Sequence, residues 1–307
     1  MTTIDGNLGK THPLDSQFSS LSITYHDSLP FVTVVSLNRP RKRNAINAKM
    51  WNEIGLAFNQ VGSIGDGCRS VLLVGSGKGF CGGIDTSDEK FFSGIINNNN
   101  DNDDTTQDTA RRSLAFKSQI LEMQAAFTAV EECPVPVICR IHGACVGAGI
   151  DLACCADIRV CSSDTKFSIR EVRLGLAADV GTLQRFPKLV GFGSRVRELC
   201  LTGDDFNAED ALKLGFVSRV CQTNNNLHDI ANGLCQRICN NSPVAVQVTK
   251  MSLNYSRDHT VKEGLEHIAL HNSTALMSED LVKSFMMSRG GGSTEVQFSP
   301  MLAHSRL

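Results

Sequence analysis

His142-Gly143-Ala144-Cys145-Val146-Gly147-Ala148-Gly149-Ile150-Asp151 joins an apolar run to a second apolar run through glycines and ends on an acid. Upstream, Pro134–Ile141 reads as a buried strand; downstream, Gly147–Cys155 reads as a helix. A glycine-rich turn from strand to helix leaves backbone N–H groups unpaired at the helix start. Those donors and the helix dipole suit an anion. Read alone, Asp151 is equally a first-turn acid stabilised by the dipole. His142, a lone histidine at a strand end, is expected to be structural.

Working outward, Gly79-Phe80-Cys81-Gly82-Gly83-Ile84-Asp85 follows the short buried strand Ser70–Val74. Glycines at a strand end let main-chain N–H groups face a ligand closely, although a plain tight turn has the same composition. No Gly-x-x-x-x-Gly-Lys-Ser/Thr phosphate loop occurs, and Gly75-x-Gly77-x-x-Phe80 lacks the third glycine of a dinucleotide fingerprint. If Ile84 and Ala148 each offer an N–H, the pair forms an oxyanion hole, each donor worth about 3–4 kcal/mol to a transition state.

Two further acids stand in apolar surroundings. Glu171 lies in Arg170-Glu171-Val172, and Asp179 in Gly175-Leu176-Ala177-Ala178-Asp179-Val180-Gly181. The flanking leucines and alanines make a poor solvated face. Carboxyls in such settings have raised or divided pKa values, so one holds a proton while another accepts one. Moving a proton between two carbons needs that division. Three carboxyls are too few oxygens for a hard cation, so no metal is expected.

The wider chain alternates strands and helices. Leu21–Tyr25 and Phe31–Leu37 read as a hairpin, Ala48–Val61 as a helix capped by Asn47, and about 111–130 as a long helix. Ile158–Cys161 and Lys166–Ile169 are short strands; after Val180 the pattern is mainly helical. This predicts an α/β core with crossover connections over 21–205 and a helical C-terminal region over 206–288. Residues 1–20 are polar and expected to be loose, as is a tail over 289–307 beginning in glycines. Residues 96–109, with Asn97-Asn98-Asn99-Asn100 and several aspartates, read as a low-complexity surface loop.

Bulk composition removes several functions. A net charge of −2 gives no basic field for nucleic acid or an anionic membrane. No apolar run approaches the ~20 residues that span a bilayer. Twelve scattered cysteines, several in apolar runs, read as reduced buried thiols in an intracellular protein. The first fifteen residues contain Asp5 and Asp15, which a mitochondrial presequence avoids. Ser305-Arg306-Leu307 differs from the peroxisomal Ser-Lys-Leu signal by one basic-for-basic change. A peroxisome or a related organelle such as a glycosome is therefore expected rather than the mitochondrion, with an import receptor as partner.

Leu37-Asn38-Arg39-Pro40, Asn44-Ala45-Ile46-Asn47, Phe80 to Asp85 and His142 to Asp151 together resemble the enoyl-CoA hydratase/isomerase (crotonase) superfamily. Glu171 to Arg185, Ser242-Pro243-Val244-Ala245-Val246-Gln247 and Tyr255-Ser256-Arg257-Asp258-His259 are most similar to its Δ3,5-Δ2,4-dienoyl-CoA isomerase branch. The resemblance implies a crotonase-like spiral of ββα units with a C-terminal helical region. It implies a homotrimer or homohexamer, an acyl-CoA thioester substrate and no separate cofactor, CoA being part of the substrate. It assigns catalysis to Asp151, Glu171 and Asp179, and substrate binding with the oxyanion hole to Gly82, Gly83, Ile84, Asp85, Thr86 and Ala148. Ala148 and Cys81 depart from the residues usual there. The implied reaction moves a proton between C2 and C6 of a 3,5-dienoyl-CoA in β-oxidation. A 2-enoyl-CoA hydratase, or a noncatalytic binding protein of this fold, is the alternative.

Overall fold

Alternating residues of Leu21–Tyr25 (β1) and Val32–Leu37 (β2) turn inward, and the two strands run antiparallel with Leu21 opposite Leu37. The computed structural model, which describes residues 10–63, 65, 67–88, 108–289 and 297–301, builds the rest of the sheet in parallel from this hairpin. Ser70–Gly75 (β3), Val137–Ile141 (β4), Ile158–Ser162 (β6) and Arg219–Cys221 (β9) give the order β1-β2-β3-β4-β6-β9. Every residue of β3 is buried, as expected of a parallel strand covered on both faces. A smaller sheet joins Ala144–Val146 (β5), Lys166–Ser168 (β7) and Asp205–Asn207 (β8).

The helices, in chain order, are α1 (Ala48–Gln60), α2 (Thr109–Glu131), α3 (Ala148–Cys154), α4 (Thr182–Val190), α5 (Ser194–Thr202), α6 (Ala208–Lys213), α7 (Asn224–Cys239), α8 (Pro243–Ser256), α9 (Val261–Ala275) and α10 (Glu279–Arg289). Asn47 caps α1 by accepting the Met50 N–H, a bond worth about 1 kcal/mol. The apolar stripe Met50, Ile54, Ala57, Phe58 enters the inner core with Phe127 and Val130 of α2. Trp51 locks the two helices. Its ring stacks on Phe127 at 4.6 Å, and its indole N–H donates to the Met123 carbonyl at 2.9 Å. On the outer face of the sheet, Val32, Leu72, Val74, Ile138 and Val160 receive Leu227, Ala231, Cys235 and Cys239 of α7.

Several expectations need correction. Residues 10–20 are not loose. His12 and Leu14 are buried, Asp15–Gln17 is a 3-10 turn, and Glu53 of α1 accepts the N–H groups of Ser19, Ser20 and Leu21. That carboxylate satisfies three main-chain donors in an otherwise polar stretch. Position 205/206 is not a boundary, because β8 spans it, β9 completes the main sheet and α7 covers the outer face. Residues 171–174 form a 3-10 turn closed by Gly175 at φ 76°. Residues 1–9, most of the Asn-rich loop and residues 302–307 lie outside the described residues. None of the twelve cysteines is in a disulfide, and all but Cys200 are buried.

Candidate active site

The site begins with a loop that cannot drift. Asn44, buried at φ 54°, accepts from Arg39 N–H and donates to the carbonyls of Ser76 at 2.8 Å and Gly79 at 2.9 Å. Main-chain bonds then fix the loop on both sides. Phe80 N–H donates to the His142 carbonyl, Cys81 N–H to Ala144, and Gly82 N–H to Arg43. Ile46 N–H donates to the Gly83 carbonyl and Asp85 N–H to the Ile46 carbonyl, which leaves the Ile84 N–H out of the bridge. Across from it, Gly147 turns at φ 53°, and Ala148 opens α3 with an N–H that has no acceptor within the helix. A side chain on Gly147 would be strained and would meet Glu171 Oε1 at 3.3 Å.

These segments wall a cavity of about 500 Å³. It is lined by Gly82, Gly83, Ile84, Thr86 and Ala148, and by all three acids, Asp151, Glu171 and Asp179. Asp85 is the exception among the expected residues. Its carboxylate turns to Arg39 at 2.8 Å and to the Ser87 hydroxyl at 2.6 Å. Ser87 and Arg39 hold it down at about 2 against its burial, so it anchors the loop instead of facing the cavity. Cys81 also faces away, its thiol 3.3 Å from the Asn44 carbonyl and pushed up to about 12 by burial. His142 is structural, with Nε2 at 2.9 Å from the Gly77 carbonyl.

The acids differ in surroundings. Asp151 is fully buried on α3, and its Oδ1 accepts the Thr182 N–H at 2.6 Å. Glu171 is half-buried, and the two carboxyls are hydrogen-bonded to each other. Asp179 is exposed in the turn before α4. Burial, then the Glu171 charge, push the Asp151 carboxyl up to about 7. Burial and, more weakly, the Asp179 charge raise Glu171, and partial burial raises Asp179. Asp151 is therefore partly protonated near neutral pH, where an ordinary aspartate is not.

Sequence reading missed the apolar side of the cavity, formed by Trp51, Phe116, Met123, Leu174 and Leu176. Phe116 and Met123 are seven residues apart on α2, a two-turn spacing that is a usable signal. Lys42, Arg43, Lys166 and Arg170 add positive charge to the same lining, Arg170 being paired with Asp205. His267 and His271, one turn apart on α9, were overlooked as a pair. The His267 ring stacks on Tyr255 at 3.9 Å and is tilted against His271 at 4.5 Å, and no group of three or more metal-binding side chains occurs among the described residues.

The fold is shared with known proteins. The enoyl-CoA hydratase/isomerase family model matches residues 30–289. The chain belongs to that family. It is 44% identical over 270 residues to the mitochondrial Delta(3,5)-Delta(2,4)-dienoyl-CoA isomerase of Homo sapiens, covering 88% of this chain and 79% of that one. To the peroxisomal Delta(3,5)-Delta(2,4)-dienoyl-CoA isomerase of Arabidopsis thaliana it is 38% identical, covering 89% and 96%. The crystal structure of a putative enoyl-CoA hydratase from Streptomyces coelicolor superposes with a TM-score of 0.77 at 27% identity, covering 91% and 94%.

Proposed function

We propose that the protein isomerises 3,5-dienoyl-CoA thioesters to 2,4-dienoyl-CoA thioesters in the β-oxidation of unsaturated fatty acids. The observation that carries this is the third acid. Asp179 faces the cavity that Asp151 and Glu171 already share, and a hydration needs only two. The similarity to the two dienoyl-CoA isomerases supports the same reading.

Burial decides the roles. Asp151 is the most buried of the three, so its ionisation costs most and it keeps the shared proton. Glu171 is then the carboxylate that takes the C2 proton. The thioester oxygen of the resulting dienolate is held by the N–H groups of Ile84 and Ala148. Asp179, open to water, delivers a proton to C6. The C3=C4 and C5=C6 bonds become C2=C3 and C4=C5, with one proton removed and one returned. Trp51, Phe116 and Met123 receive the acyl chain, and the cationic residues at 42, 43 and 166 receive the CoA phosphates. No separate cofactor enters this scheme.

The test is to incubate the protein with 3,5-octadienoyl-CoA and follow the absorbance of the conjugated dienoyl thioester. Formation of a hydroxyacyl product from 2-enoyl-CoA at a comparable rate would instead establish a hydratase.

The remaining partners are proposals of the same kind. Leu253, Val261, Leu265 and Leu270 on α8 and α9 are more than 60% exposed and suit burial against further copies as a trimer or hexamer, which light scattering reads directly. Ser305-Arg306-Leu307 suits a peroxisomal import receptor. Removing these residues from an N-terminally tagged protein, in cells lacking the intact chain, should leave it in the cytosol.

A further inference from the structure

The turn that carries Asp179 is held from both sides by groups tied to α2. Before α4, Gln124 Nε2 donates to the Asp179 carbonyl itself at 2.6 Å. After it, Arg185 folds back over Gly181, which stands at φ 136°; a side chain there would lie 2.0 Å from Arg185 Nη1. That Nη1 reaches the Val180 carbonyl at 3.5 Å. The rest of the guanidinium faces α2, with Nη2 at 3.0 Å from the Thr128 hydroxyl and Nε at 3.0 Å from Glu131 Oε2.

Glu131 is itself immobilised. Its other oxygen accepts from Arg257, at the end of α8, and Arg257 pairs in turn with Asp258, which also pairs with Lys188 of α4. The Glu131 and Arg185 side chains are 10% and 13% exposed, so their attraction is little screened by solvent. Burial alone would raise the Glu131 carboxyl, yet the Arg257 hydrogen bond and the Arg185 charge leave it lowered. None of these residues is needed to remove a proton from C2, and Arg185 and Gln124 do not line the candidate cavity.

We infer that Gln124 and Arg185 are positioning residues for the Asp179 carboxyl, with Glu131 and Arg257 as the anchor of Arg185. The arrangement makes the reach of the C6 proton donor depend on α2, the helix whose Phe116 and Met123 also line the cavity. It leaves Glu171 on a separate support, its own 3-10 turn, while Asp151, seated on α3, meets the Asp179 turn only through the Thr182 N–H. The two half-reactions are therefore separable by mutation. The inference rests on the isomerase reading, which wild-type conversion of 3,5-octadienoyl-CoA in the same assay tests by itself.

The experiment compares wild type, Arg185→Met and Gln124→Leu in two measurements. One is isomerisation; the other is exchange of the C2 hydrogen for deuterium from heavy water, read by mass spectrometry. Displacing a reacting group by about 1 Å costs up to ~100-fold, so Arg185→Met should lower the isomerisation kcat by about 10–100-fold while C2 exchange and KM stay within a few-fold. Gln124→Leu, which leaves the buried ion pair intact, should show the same split with a smaller loss. If Arg185→Met does not fold, Gln124→Leu alone decides. Equal loss of exchange and isomerisation, or full isomerisation in the folded variants, would overturn the assignment.

Discussion

The main-chain N–H of Thr182 donates to Asp151 Oδ1 at 2.6 Å and so ties the start of α4 to a fully buried acid on α3. The bond occupies one carboxyl oxygen and leaves Oδ2 for a proton. Because the donor is backbone, asparagine at 151 keeps the bond through its own Oδ1.

This gives a stability prediction for Asp151→Asn. The folded carboxyl titrates near 7, against an ordinary value of 3.8 for the unfolded chain. Between those values the folded state keeps a proton that the unfolded state has released. Stability therefore falls as pH rises from about 4 to 7, on the order of 1.4 kcal/mol per unit at most. Asparagine removes that loss. Thermal unfolding should show the variant more stable than wild type at pH 8, with the gap closing towards pH 4. A gap independent of pH would mean that Asp151 ionises normally.

The same substitution bears on turnover. The Asp151–Glu171 pair titrates as a unit, so the wild-type rate should show an ionisation near neutrality. In Asp151→Asn that ionisation should be lost from the profile, because only Glu171 of the pair is left to titrate. An unchanged pH profile and rate would reduce Asp151 to a helix-start residue.

Glu171→Gln and Asp179→Asn should each lower kcat by about 10²–10⁴-fold, the range of a lost general acid or base. The two should differ in heavy water: only Asp179→Asn should retain C2 exchange. Near-full isomerase activity in Asp179→Asn would favour hydratase chemistry.

Ala148→Pro deletes the proposed oxyanion donor at the first helical position, where proline is otherwise accepted. A variant that keeps its circular dichroism spectrum should have no measurable turnover, whereas Ala148→Gly should remain active. Turnover by the folded proline variant would remove this N–H from the mechanism.

Lys250→Met addresses the fold. The buried Lys250 ammonium bridges Asp157 at 2.7 Å and the Val135 carbonyl at 3.0 Å, fastening α8 to the segments that lead into β4 and β6. Removing one partner of such a pair costs about 3–5 kcal/mol. Urea titration should record that loss, and a change below 1 kcal/mol would show the pair to be dispensable.

How far the sequence spoke depended on range. α1 and the β1–β2 hairpin were legible because Asn47 and the apolar stripe from Met50 to Phe58 act within a few residues. Asp151, Glu171 and Asp179 were legible because charged groups in apolar runs are anomalous. β5 and β9 were not, since three-residue strands such as Ala144–Val146 and Arg219–Cys221 take their conformation from partners far along the chain. Asp85 was misread for a related reason. Its neighbours in sequence face the cavity, but Arg39, 46 residues away, draws its carboxylate elsewhere. Arg185 was visible as part of a motif, but its ties to Thr128 and Glu131 exist only after folding.

The seating of α7 on the outer face of the sheet also sets an order of events at the ribosome. Val32, Leu72, Val74, Ile138 and Val160 are all synthesised before their cover, and Leu227 to Cys239 arrive last. Until about residue 240 has left the exit tunnel, the nascent chain presents an open apolar face, and until β9 emerges the β6 edge is unpaired as well, the kind of surface that chaperones hold and that aggregates when it waits. Premature termination between Asp179 and α7 should thus yield an insoluble product, even though every proposed catalytic acid has already been made.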